Sequence, residues 1–76
     1  MDIKIYSTPQ CPWCVLAKSY FKEKNIDFTD YDVSANQEKA QEMVKISGQM
    51  GVPVIKIDDE IIVGFNKEKI EKLIKP

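Results

Sequence analysis

The 76-residue chain contains no histidine, only two cysteines and only three glycines. Without an imidazole, a hydrolase built on a cysteine–histidine pair is excluded, because nothing could serve as its base. Two cysteines without histidine also fall short of the four N/S ligands a zinc site usually takes, so a metal would need a second chain or an outside thiol. An excess of either charge is lacking as well: 11 basic residues face 12 acidic ones, for a net charge of −1. With no basic excess to release phosphate counterions, no nucleic-acid partner is expected. No apolar run approaches the roughly 20 residues that span a bilayer, and Met1-Asp2-Ile3-Lys4-Ile5 lacks the basic and apolar segments of a signal peptide. A cytoplasmic protein with no membrane partner is expected. Repeats, linkers and low-complexity tracts are missing too.

What is present is a globular balance of 43% hydrophobic and 30% charged residues. The length leaves room for a single domain, residues 1–76, expected to be monomeric. Its core must be modest, so any large substrate is met at the surface.

Segments of period two alternate with segments of helical period, which points to α/β construction. Ile3-Lys4-Ile5-Tyr6 alternates as a first strand, and Ser7-Thr8-Pro9-Gln10 breaks it. Pro12 suits a first helical turn, where its missing N–H costs nothing. From Cys14 to Lys24, Leu16, Ala17, Tyr20 and Phe21 recur at helical spacing, with Asn25 as the stop. Phe28 to Val33 reads as a second strand, crowded by three aspartates. Ser34-Ala35-Asn36-Gln37 matches a capping box for a helix with Ala40, Met43 and Val44 inward, ended by Gly48 and Gly51. Val52–Ile57 and Glu60–Val63 read as strands joined by a hairpin at Asp58-Asp59. Asn66 caps a last helix with Ile70, Leu73 and Ile74 inward and with Glu68–Lys72 and Glu71–Lys75 pairs on its wet side. The expected order is β-α-β-α-β-β-α, with the first two strands parallel and the last two antiparallel.

Cys11-Pro12-Trp13-Cys14 lies between a strand and a helix, the context a redox reading requires. Free N–H groups and the macrodipole at a helix start favour a thiolate at Cys11. Cys14 lies one turn inside, more buried and within reach. Cys11 is then the attacking sulfur and Cys14 the resolving one. As a structural staple, a cross-link closing so few residues would remove little unfolded-chain entropy. Lys18 lies two turns after Cys11 and points back toward it, either adding to thiolate stabilisation or standing as a solvated lysine. Trp13, on the first turn, reads as an exposed partner contact or as a ring folded onto Tyr6 or Pro9.

These residues carry a resemblance. Cys11-Pro12-Trp13-Cys14 after the first strand, Gly51-Val52-Pro53 before the third and Gly64-Phe65 after the fourth make the chain similar to the glutaredoxins, specifically the short glutaredoxin-like proteins of prokaryotes. The resemblance spans essentially the whole chain. It implies a thioredoxin-like (glutaredoxin) fold, a four-stranded mixed sheet flanked by three helices. It implies a cis peptide before Pro53, facing the cysteine pair, which leaves the Val52 backbone free to pair with an extended substrate. A substrate surface of Pro12, Trp13, Val52, Pro53, Gly64, Phe65 and Asn66 follows from it; Gly64 either permits close backbone approach beside Pro53 or is a plain turn glycine at a strand end, and Phe65 is either a groove wall or a core ring.

The function so implied is thiol–disulfide exchange with oxidised protein targets, or with disulfides mixed with glutathione. No bound cofactor and no metal are expected. The resemblance departs at the glutathione groove. Glutaredoxins usually carry a lysine three residues before the first cysteine, where Thr8 stands here. They also carry Gly-Gly followed by polar and acidic residues, where this chain has Val63-Gly64-Phe65-Asn66-Lys67. That stretch looks more like the redoxins that feed electrons to ribonucleotide reductase, which take their electrons from a flavin-dependent thioredoxin-type reductase. Glutathione and such a reductase are therefore the two candidate reductants. A soft-metal carrier using the CxxC pair is the alternative of another class, although small metal chaperones follow a β-α-β-β-α-β order.

Overall fold

Alternation along the strands decides how the layers stack. The computed structural model describes residues 2–74, over which β1 (Ile3–Ser7), α1 (Pro12–Glu23), β2 (Thr29–Asp32), α2 (Gln37–Ser47), β3 (Val54–Ile57), β4 (Glu60–Val63) and α3 (Lys67–Ile74) follow in order. The sheet order is β2-β1-β3-β4. β1 runs parallel to β2 and antiparallel to β3, and β3 pairs antiparallel with β4. This is the expected mixed sheet with three helices.

Ile3 and Ile5 of β1, Ile55 and Ile57 of β3 and Ile62 of β4 face one side, where Ala17, Tyr20 and Phe21 of α1 and Ile70 of α3 cover them. Tyr6 and Val54 face the other side, beneath Met43 and Ile46 of α2. Both faces of β1 and β3 are thus buried, the usual state of central strands under helices. Each wholly buried large apolar side chain, such as Phe21, contributes about 1.5–3 kcal/mol.

The differences from expectation are local. The second helix is capped by Asn36, whose Oδ1 accepts the Lys39 N–H at 3.1 Å. Ser34 instead donates its N–H and hydroxyl to Asp32 Oδ1, at 3.0 and 2.5 Å, in a turn that precedes the helix. Val44 is 37% exposed and Leu16 50% exposed. Each follows or precedes a buried neighbour by one residue, about 100° around the helix and off the narrow buried stripe; Ile46 takes the inward place in α2. β3 begins at Val54, since Pro53 has no N–H to offer the ladder. The Asp58-Asp59 turn places Asp58 at φ 52°, and Asn25 ends α1 at φ 57°, left-handed positions that Asn and Asp tolerate. Ion pairs among the described residues are Lys4–Asp2, Lys18–Asp30 and Lys39–Glu42, so Glu68–Lys72 is not closed; Glu71–Lys75 lies outside the described residues. Among the described residues no helix is long and apolar enough to cross a membrane.

Candidate active site: a thiol pair at a helix start

The chain leaves β1 at the buried Ser7 and turns through Thr8, whose carbonyl accepts the Cys11 N–H at 3.3 Å. Cys11 is then the N-cap of α1, with extended φ −91° and ψ 112°, and Pro12 occupies the first helical position. Its carbonyl takes the Val15 N–H at 3.1 Å, and its Sγ accepts the Cys14 N–H at 3.2 Å. The sulfur does what a serine or aspartate oxygen usually does at this place. A charged acceptor makes such a bond stronger than a neutral one, and the helix dipole acts in the same sense.

Both cysteines are free thiols, Cys11 partly exposed and Cys14 fully buried. Burial first, then the hydrogen bond to Cys11 and its nearby charge, push the Cys14 thiol up to about 12, against the lowering influence of the Thr8 backbone and of Lys18. Near neutral pH, therefore, Cys14 holds its proton. The exposed sulfur is the one available to a partner.

A cleft of about 240 Å³ beside the pair is lined by Trp13, Val52, Pro53, Gly64 and Phe65. Five of the residues that the resemblance implies for a substrate surface, from three separate stretches of chain, thus meet in one hollow. Trp13 is 60% exposed, as the partner-contact reading expects and a ring buried against the core would not be. The Val52–Pro53 peptide is cis, and the Cys11 thiol donates to the Val52 carbonyl at 3.9 Å. Phe65 is both wall and core, half-buried with its edge toward Tyr20 at 5.8 Å between centroids. Gly64 donates its N–H to the Pro53 carbonyl at 2.8 Å and sits at φ 81°. Among the described residues a Cβ there would meet no heavy atom within 4 Å, so the backbone angle and not side-chain crowding calls for glycine, in keeping with the turn-glycine reading of the sequence.

Pro12 and Asn66 are exposed and line no part of this cleft. Asn66 Oδ1 accepts the Lys69 N–H at 3.2 Å and so is committed to starting α3. Thr8 borders a different hollow with Pro9, Gln10 and Ser34. Lys18 does not turn to Cys11: its Nζ is 3.0 Å from Asp30 Oδ2. Asp30 Oδ1 in turn accepts from the Ser7 hydroxyl at 2.6 Å. Sequence reading passed over Ser7 and Asp30, although an acidic residue in a strand beside a buried one was a signal. It also passed over Met50, 82% exposed just before the Gly51-Val52-Pro53 stretch. Among the described residues, no three His, Cys, Asp or Glu side chains converge as a metal site would require.

Known proteins resemble this chain in sequence and in fold. The family model described as Glutaredoxin matches residues 3–62. The chain is 59% identical over 73 residues to an uncharacterized glutaredoxin-like 8.6 kDa protein in the rubredoxin operon of Clostridium pasteurianum, covering 96% of this chain and 97% of that one. It is 36% identical over 63 residues to glutaredoxin 3 of Escherichia coli, covering 83% and 76%. Among solved structures, it is similar to the glutaredoxin-like protein NrdH-redoxin from Escherichia coli, which has a thioredoxin-like activity profile. The TM-score is 0.88 at 26% identity, covering 100% of this chain and 99% of the other.

Proposed function

Since this chain belongs to the glutaredoxin family, we propose that it is a thiol–disulfide oxidoreductase that reduces protein disulfides and passes electrons on from a reductase. Family and fold support thiol redox chemistry. The observation that carries the finer reading is the unequal pair: Cys11 partly exposed as N-cap, Cys14 buried one turn behind it and held as a thiol.

The Cys11 thiolate attacks one sulfur of a target disulfide. A Cys11–substrate S–S bond forms, and the first substrate thiolate leaves with its electron pair and takes a proton from water. Cys14 then loses its proton and attacks Cys11 Sγ. The intramolecular disulfide forms, the mixed one breaks, and the second substrate thiol departs. The target gains two electrons and two protons; Cys11 and Cys14 lose them. An extended substrate segment lies along the Val52 backbone, as an added strand would, with Trp13 and Phe65 against its side chains.

For the reductant we favour a flavin-dependent thioredoxin-type reductase over glutathione. Among the described residues no charged side chain lines the cleft, and Thr8 stands where a lysine would meet a glutathione carboxylate. The full-length likeness to NrdH-redoxin, a protein with a thioredoxin-like activity profile, supports the same choice, and the resemblance of Val63-Gly64-Phe65-Asn66-Lys67 to redoxins that feed ribonucleotide reductase makes that enzyme a candidate target. In this reading the protein works as a monomer in the reducing cytoplasm. A soft-metal carrier is disfavoured by the element order, in which the helix α2 follows β2 where small metal chaperones have a strand.

The test offers oxidised protein either glutathione with glutathione reductase, or a thioredoxin-type reductase with NADPH, while Trp13 emission is followed. Faster reduction by the protein reductase is expected. Reduction by glutathione alone reverses the choice of reductant, and failure of both, with intact Cys11 and Cys14, overturns the oxidoreductase reading.

A further inference from the structure

The second chemical step needs Cys14 to give up a proton that it holds tightly while Cys11 is free. Lys18 lies four residues after Cys14 on α1, one turn on and along the same stripe. Its ammonium is held in place from two other elements. Asp30 Oδ2 of β2 is 3.0 Å away, and Asp30 Oδ1 accepts at 2.6 Å from the hydroxyl of Ser7, a buried residue at the end of β1. A half-buried lysine tethered in this manner is no freely solvated charge.

We propose that Lys18 is a positioning residue for resolution: the Ser7–Asp30–Lys18 cluster fixes an ammonium one turn behind Cys14, so that the Cys14 sulfur is released as thiolate once Cys11 has entered the mixed disulfide. This rests on the oxidoreductase reading above. The groups acting on Cys14 fall into two sets. Burial, the Cys11 hydrogen bond and the Cys11 charge keep its proton on, whereas the Thr8 backbone and Lys18 draw it off. Once Cys11 is one half of a disulfide it carries no charge, and both of its contributions weaken. The Lys18 contribution persists. Asp30 offsets part of the ammonium field, which keeps the effect moderate. Resolution is thereby suppressed in the free dithiol and favoured in the intermediate. In that step the Cys14 proton passes to water, the Cys14–Cys11 bond forms, the Cys11–substrate bond breaks, and the departing sulfur takes the electron pair and a proton.

The experiment uses the reduced full chain with 4,4′-dithiodipyridine, an uncharged disulfide that yields one thiopyridone on attack and a second on resolution. In Lys18→Met the second release slows about three- to tenfold near neutral pH, and its pH profile moves to higher pH. Lys18→Arg restores both, while the first release changes by less than about twofold. A measurement without any variant repeats the point: raising salt from about 0.05 to 1 M slows the second release of the natural chain more than the first, because the ammonium field is screened. Equal second releases in Lys18→Met and the natural chain, equal slowing of both steps, or no difference between the two releases on adding salt overturns the inference alone. A natural chain that yields a single thiopyridone overturns the oxidoreductase reading and the inference with it.

Discussion

The Sγ of Cys11 lies 3.9 Å from the carbonyl oxygen of Val52, a contact that bridges 41 residues of sequence. It joins the start of α1 to the segment entering β3, so a strand added along Val52, as the proposed mechanism has it, lies beside the Cys11 sulfur.

Replacing each sulfur separates the two steps. Cys11→Ser abolishes turnover of disulfide substrates. Cys14→Ser still attacks but cannot resolve, and the mixed disulfide accumulates on Cys11, visible by mass spectrometry as a retained substrate adduct. An adduct on Cys14 in the Cys11→Ser chain, formed at the rate of the natural protein, would reverse the roles.

Burial of Cys14 has a consequence for both labelling and stability. Iodoacetamide modifies one thiol per folded, reduced chain near neutral pH, at Cys11, and reaches Cys14 only on unfolding. The folded thiol is raised from its ordinary value of 9.0 to about 12, chiefly by burial. The unfolded chain therefore releases that proton first. Stability contributed by Cys14 is complete below about pH 9 and declines as pH rises toward 12, by at most about 1.4 kcal/mol per pH unit. Urea melts of Cys14→Ala across this window should show a shallower decline than those of the natural reduced chain.

Glu42 accepts from the buried Tyr6 hydroxyl and from Lys39 Nζ at 3.1 Å, and these bonds, Tyr6 first, hold its carboxyl below the usual range. The folded value is depressed, so this stability is present above pH 4.5 and is lost as pH falls through the folded value. Glu42→Ala strands a buried hydroxyl and costs about 1–3 kcal/mol. Tyr6→Phe leaves only a carboxylate that water can reach, and costs about 1 kcal/mol or less once solvent screening is allowed for. The order of the two, from denaturant midpoints at neutral pH, is the check.

Gly64→Ala costs about 1–2 kcal/mol from its left-handed backbone alone, since its Cβ has open space. Thiol attack by Cys11 should survive the substitution. A cost below about 0.3 kcal/mol would show that the loop relaxes to another angle.

Trp13→Ala separates recognition from chemistry. Trp13 is an exposed aromatic on the cleft wall, and under the proposed function its loss raises KM for a protein disulfide about tenfold or more. The rate with a small uncharged disulfide stays near that of the natural chain.

Legibility in the sequence followed the range of the interactions. The N-cap sulfur and its partner one turn on are separated by three residues, and Pro12 at the first helical position announces the helix, so the pair could be read directly. The left-handed ends at Asn25 and Asp58 are equally local. By contrast, the capping box at Ser34 and the cap at Asn36 are both local patterns, and the competing hydrogen bonds to Asp32 decided between them. Neither sequence reading of Lys18, toward Cys11 or free in solvent, includes its partner, because Asp30 lies on β2, 12 residues away.

By themselves, then, the residues determined the element order, the alternation that sorts Ile5 from Tyr6 and Ile55 from Val54, and the spacing of Cys11 and Cys14. Each depends on backbone period and on neighbours within a turn. The resemblance already implied one surface for Trp13, Val52 and Phe65; tertiary structure alone decided that Pro12 and Asn66 stand outside their cleft, that Gly64 is there for its backbone angle, and that Ser7, Asp30 and Lys18 form a tethered charge behind Cys14. Contacts between distant segments exist only once the sheet has set β1, β2 and β3 side by side, and no local periodicity encodes that register.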